Sequence, residues 1–102
     1  NAAIAHLRFA KLQAKDSNYL QSNETLLQLI GDFGSYPEQT QAAYLQLIEN
    51  YQLMGNTAQA LAIAQSIIEH GTDSAFVDKA SEKMQMIIQK QISEPSDSLE
   101  IK

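Results

Sequence analysis

Residues 44–64 read YLQLIENYQLMGNTAQALAIA. Tyr44, Leu47, Ile48, Tyr51 and Met54 fall at i, i+3, i+4, i+7 and i+10, the spacing that lays apolar side chains along one side of a helix. Gly55 follows, a residue suited to the left-handed position that ends a helix. Asn56 is then a cap for the next helix, with Gln59 three residues on. That helix gathers Ala60, Ile63, Ala64 and Ile67 on one face and stops near Gly71. The stretch therefore predicts two helices joined by a tight turn, each with one apolar face.

Working outward, the same pattern extends in both directions. A first helix is expected over about 3–15, with Leu7, Ala10 and Ala14 on one face, broken by Asp16-Ser17-Asn18. A second, over about 19–33, carries Leu26, Leu27, Ile30 and Phe33, and Gly34 is placed to take the left-handed position after it. Ser35-Tyr36-Pro37-Glu38 has the spacing of a capping box with Pro inside the first turn, where its missing N–H is no loss. Beyond Gly71, Thr72-Asp73-Ser74 offers a cap for a fifth helix over about 74–91, bearing Phe76, Val77, Ala80, Met84, Ile87 and Ile88. Strict alternation of polar and apolar residues is almost absent, so strands have little support. The expectation is an all-α chain of five helices, with connections short enough to make successive helices antiparallel neighbours.

A shift of 37 residues lays Leu26-Leu27 on Ile63-Ala64, Ile30 on Ile67, Gly34 on Gly71, Ala10 on Leu47 and Leu47 on Met84. A period of this length belongs to helix-hairpin solenoids, in which each hairpin buries its apolar face against the next. The chain then reads as about two and a half hairpins: 3–34, 37–71 and a closing helix 74–92.

The series Tyr44-x2-Leu47-x3-Tyr51-x3-Gly55-x4-Ala60-x3-Ala64 resembles the tetratricopeptide repeat. The resemblance is strong over 41–71 and weaker over 4–34, where Asn18 stands for the Gly and Asn23 for the first Ala. The chain departs from the pattern at Ile48, where the family has Gly, at the branched Ile67, and at Thr72, where it has Pro. Small residues at 60 and 64 let the second helix approach the first, and Ala60→Leu is expected to overpack that contact. Hairpins entered by Tyr-Pro are similar to those of bacterial cell-envelope members of the family, including outer-membrane assembly lipoproteins, which implies a bacterial source; the sequence leaves open whether the setting is the cytoplasm or the periplasm and cell envelope.

The resemblance implies a non-enzymatic scaffold that holds a peptide or helix of a protein partner in a concave groove lined by the first helix of each hairpin. Carried over position by position, the groove is expected at Leu45, Gln46, Glu49, Gln52 and Leu53, and in the first hairpin at Arg8, Phe9, Leu12 and Lys15. Members that clamp a chaperone's terminal carboxylate use Lys and Asn at positions held here by Leu45 and Glu49, so that ligand is not expected. Two other roles compete: a structural segment of a longer solenoid or homo-oligomer, with Leu45 and Leu53 covered by a neighbouring repeat or a second copy, and an accessory domain of a larger enzyme.

Composition narrows the field further. At 102 residues, 44% hydrophobic and 19% charged, the chain is one domain's worth, with no Cys for disulfides, thiolate metal sites or nucleophiles. No apolar run approaches the roughly 18–20 residues of a membrane-spanning helix, so insertion by this chain is not expected. The net charge is −5, and between Asp16 and Asp78 there is not one Lys or Arg; the cations lie at Arg8, Lys11 and Lys15 and at Lys79, Lys83, Lys90 and Lys102. That acidic centre argues against a nucleic-acid partner. His6 and His70 are far apart, and Glu69, His70 and Asp73 read as polar residues gathered at a helix end rather than metal ligands. No nucleophile elbow, phosphate loop or paired carboxylate is present, so no catalytic, metal or cofactor residue is expected. Asn23-Glu24-Thr25 matches the glycosylation triplet by chance, and Met54, Met84 and Met86 are expected to fill core gaps. Asn1-Ala2 looks like a tag remnant, and 93–102, polar with one Pro, reads as a disordered tail or linker.

Overall fold

All five expected helices form, with bounds within one or two residues of those the periodicity predicts. A computed structural model describes residues 1–93; the expected tail from 94 onward lies outside the described residues. The described chain is all-α, with helices α1 (Ala2–Lys15), α2 (Tyr19–Asp32), α3 (Pro37–Leu53), α4 (Thr57–His70) and α5 (Ser74–Ser93), and contains no strand. Side-chain oxygens close three helix starts. Asn1 accepts from the Ile4 amide at 2.9 Å, Asn56 from Gln59 at 3.3 Å, and Asp73 from Ala75 and Phe76 at 3.0 and 3.3 Å. The capping box at Ser35 does not form. With Pro37 as the first helical residue, Tyr36 becomes the cap and Ser35 falls one position too early, so α3 starts without a side-chain cap.

Two helices end in the same way, and only one of them uses glycine. After α3, Gly55 takes φ 83°, its amide donates to the Gln52 carbonyl, and the Asn56 amide donates back to Tyr51. After α1, Ser17 takes φ 65° and the matching bonds run from Ser17 to Ala14 and from Asn18 to Gln13. These are the only positive φ angles among the described residues, which corrects the expectation for Gly34. The chain leaves α2 instead through Phe33, whose ring stands edge-on to His6 at 5.2 Å and Tyr36 at 6.1 Å.

Sequence neighbours pack on one another along the chain, and α3 also touches α1 and α5. The short connections make neighbours antiparallel. Thus α1, α3 and α5 form one row with α3 in the middle, while α2 bridges the first pair and α4 the second. Two linked cores result. One joins Ala10, Leu26, Leu29, Ala43 and Leu47; the other joins Ile48, Ala60, Ala64, Ile67, Ala80 and Ile87, and Tyr44, Tyr51 and Ile63 pack against both. Leu29 is buried and Leu27 is 54% exposed, a correction to the expected α2 stripe. Among the methionines, Met84 packs on the core but Met86 and Met54 are exposed.

The helix ends also change the expected offset of 37 residues between the first two hairpins. Lys15 and Leu53, which end α1 and α3, are 38 residues apart, as are Asp32 and His70, which end α2 and α4. Buried positions follow: Ala10 matches Ile48, Ser22 matches Ala60, Leu26 matches Ala64 and Leu29 matches Ile67. Ser17 and Ser22, rather than Asn18 and Asn23, therefore stand where the second hairpin has Gly55 and Ala60. From α3 to α5 the offset is 37, pairing Pro37 with Ser74, Ala43 with Ala80 and Asn50 with Ile87.

Three helices are tied together by a polar core. Asn50, fully buried on α3, donates from Nδ2 to Ser22 Oγ at 2.9 Å and to Asn23 Oδ1 at 2.8 Å, both on α2. Ser22 Oγ donates to the Ala10 carbonyl on α1 at 2.7 Å, and Gln46 Nε2 donates to Asn50 Oδ1 at 3.0 Å. Every buried side-chain N or O among the described residues has a partner, as burial of polar groups requires. Asn23 is 5% exposed, which takes it out of reach as a glycosylation acceptor.

Candidate functional site

The first helices of the hairpins share a row, so the side of that row turned away from α2 and α4 is the surface to examine. On α3 it is marked by Ala42, Gln46, Glu49 and Leu53, four residues spaced at i, i+4, i+7 and i+11 on the flank opposite Tyr44, Ile48 and Tyr51. Glu49 is exposed and Leu53 is 58% exposed. The offset of 38 gives the matching positions of α1 as Ile4, Arg8, Lys11 and Lys15, and the offset of 37 gives Lys79, Lys83, Met86 and Lys90 on α5.

The residues expected to line a groove divide under this geometry. Arg8, Lys15, Glu49 and Leu53 fall on the open stripe. Gln46 also falls there but is half-buried, its amide committed to Asn50. Leu45 and Gln52 lie on the seam between α3 and α5. Leu45 packs against the core cluster and lines a hollow with Phe76 and Lys79, while Gln52 borders another with Ile87 and Lys90. Leu12 and Phe9, 58% and 55% exposed, sit elsewhere. In the corrected register they match Asn50 and Leu47, so they occupy the outer end of the row, on the side of α1 that no other described helix covers.

Sequence reasoning missed Lys11, Lys79, Lys83, Met86 and Lys90. The signal was available in the seven-residue cationic spacing of Arg8, Lys11 and Lys15, but it becomes a face only when α5 is treated as a repeat helix and α1 is moved one residue. All six Lys and Arg of the described residues stand on the twelve matched positions, together with a single acid, Glu49. None of the six forms an ion pair among the described residues. Five are exposed and Lys83 is half-buried.

The polar cluster at the α4–α5 junction is occupied by local bonds. Gln65 donates to Glu69 at 2.9 Å, His70 Nδ1 lies 3.2 Å from the Ser66 carbonyl, and Asp73 caps α5 while accepting from Gln41 at 3.3 Å. No group of three His, Asp or Glu among the described residues could hold a metal ion. No helix among them is long and apolar enough to cross a membrane. Comparison with protein-family models, characterised proteins and solved structures finds no match.

Proposed function

We propose that this chain is a tetratricopeptide-like helical-repeat scaffold, a short solenoid that holds a segment of a protein partner along the row of α1, α3 and α5 and performs no chemistry of its own. The observation that carries the reading is the open stripe on α3: Glu49 and the 58%-exposed Leu53 lie at the centre of a three-helix row, flanked on both sides and covered by nothing in the described chain. Support also comes from Ala60 and Ala64, fully buried where the repeat needs small residues, and from Gly55 in the left-handed turn between the hairpin's helices. A row of parallel first helices is the surface such scaffolds use to grip a helix or extended peptide.

The test is site-specific photocrosslinking in the source cells. A photoreactive residue at position 53 should capture a partner protein, and one at position 24, exposed on α2, should not. Capture from both positions alike, or from neither, would sink the reading. Leu53→Glu is the matching loss-of-binding variant, because Leu53 is exposed; Leu45→Glu would confound binding with stability, since Leu45 packs on the core.

A structural reading is favoured by a different observation. Phe9 and Leu12 at one end of the row, and Ile88 and Ile92 at the other, are exposed where a further hairpin or second copy would stack. Phe9→Ser with Leu12→Ser should then lower the oligomeric mass measured by light scattering, and leave photocapture at position 53 unchanged.

A further inference from the structure

The sequence separates its cations into two groups more than sixty residues apart, and the fold returns them to the same surface. On α1, Arg8, Lys11 and Lys15 are spaced at i, i+3 and i+7; on α5, Lys79, Lys83 and Lys90 are spaced at i, i+4 and i+11. Each set is therefore one line along one side of its helix. Lys79 borders the same hollow as Ala42 and Leu45, and Lys90 the same hollow as Gln52, which fixes the α5 line against α3. Between the two lines runs the stripe of Ala42, Gln46, Glu49 and Leu53, with Glu49 its acid and Glu38 one turn before Ala42; Glu38 and Asp73 share the hollow with Lys79, so the open cationic stretch of α5 is that of Lys83 and Lys90.

We infer that this surface recognises an acidic segment of a protein, bound along α3 with carboxylates turned to both cationic rims. The inference rests on the scaffold reading above and names the partner's chemistry. Packed helices sit roughly 8–10 Å apart, which puts the two rims about 20 Å from each other and leaves a channel about as wide as one helix with its side chains, roughly 10–12 Å. An amphipathic acidic helix matches that layout, with apolar residues on Leu53 and Met86 and acids on either flank. A nucleic-acid duplex does not. Its continuous phosphate charge, about one per 1.7 Å of axis, would bring phosphates onto Glu49 while drawing on only six cations in a chain of net charge −5. Asp16, Glu24, Asp32 and Glu69 lie off the stripe and repel an acidic partner from other faces, while Glu38 and Asp73 beside Lys79 direct its acids to the Lys83 and Lys90 end of the rim.

The experiment uses a fluorescein-labelled 20-residue helix-forming peptide of Glu and Leu, and a twin in which every Glu is Gln. Anisotropy at 20 and 150 mM NaCl gives affinities, and amide shifts of the labelled domain locate the site. The acidic peptide should bind at least about tenfold tighter than its twin at low salt, lose affinity as salt rises, and shift amides along α1, α3 and α5. A Lys79→Glu, Lys83→Glu, Lys90→Glu variant, checked for unchanged helicity and Tm, should bind it about tenfold more weakly or worse, as the loss of two exposed pairs and one half-buried pair with added repulsion predicts. Equal affinity for both peptides, with Leu53→Glu abolishing both, would overturn the charge inference and leave the scaffold standing. Absence of acidic-peptide binding overturns it too, as do shifts confined to Phe9 and Leu12. Phosphatidylserine vesicles or a 20-nucleotide single strand bound as tightly, and with the same sensitivity to the triple variant, would replace the protein partner by a general polyanion.

Discussion

Asn50→Ala tests the polar core most directly. Asn50 is fully buried, and its amide makes three hydrogen bonds, two donated to α2 and one accepted from Gln46. A buried hydrogen bond contributes about 1 kcal/mol net, and a buried acceptor left unpaired costs a further 1–3 kcal/mol or so. The consequences for the partners differ. Ser22 keeps its bond to the Ala10 carbonyl, and half-buried Gln46 can turn to water, but Asn23 Oδ1, on a residue only 5% exposed, loses its partner. The expected cost is therefore roughly 2–4 kcal/mol, a large share of the roughly 5–15 kcal/mol that holds a domain of this size together. Urea unfolding followed by helical circular dichroism reads it as a fall in midpoint at unchanged slope. The double variant Asn50→Leu with Asn23→Leu should recover most of the loss, because α5 already places Ile87 at the position matching Asn50 and removing both polar partners is nearly neutral. A loss below about 0.5 kcal/mol for Asn50→Ala would refute the reasoning, since no buried three-bond amide is that cheap to remove. Additive losses in the double variant would refute the coupling between α2 and α3.

The two left-handed turns give opposite signs. Gly55→Ala should lose about 1 kcal/mol because a Cβ is forced to φ 83°, whereas Ser17→Gly, at φ 65°, should be neutral or gain up to about 1 kcal/mol; thermal melts of both variants check the contrast. Gly71→Ala should cost roughly 1–3 kcal/mol, since the added Cβ would lie 2.6 Å from the Ile67 carbonyl oxygen and 2.7 Å from Val77 Cγ2, and an unchanged Tm would contradict that close approach. Ala60→Leu should cost a similar 1–3 kcal/mol, because Ala60 is fully buried against α3, and would lower Tm by several degrees.

Much of the fold was legible because its determinants are local. Periodicity, the Gly55 turn, the Asn56 cap and Pro37 in a first turn each act within a few residues, and each lies where the structure has it. The expectations that failed were also local ones, defeated by neighbours. Ser35 has the spacing of a cap but Pro37 moves the start past it, and Gly34 is suited to a left-handed residue that the Phe33 contacts make unnecessary. Asp16-Ser17-Asn18 marks the break after α1, but the left-handed residue within it is not legible, because a serine in that conformation is held by the turn's hydrogen bonds rather than by its own preference.

The candidate surface was legible only in part, for a reason of geometry. Which residues line it depends on the register between hairpins, and an error of one residue rotates a helix by about 100°, enough to carry Phe9 and Leu12 from the end of the row into the groove. By itself the sequence determined five amphipathic helices, their ends, and two cationic clusters at opposite termini. Tertiary structure alone decided that Asn50, Ser22 and Asn23 meet, because their bonds join α2 to α3 across 27 or 28 residues, and that Leu45 packs inward. It also decided that the helices carrying Arg8, Lys11 and Lys15 and carrying Lys79, Lys83 and Lys90 flank α3 on either side. Helix formation is settled by contacts three and four residues apart; a surface is settled by which helices pack side by side, and that is fixed by the cores between them.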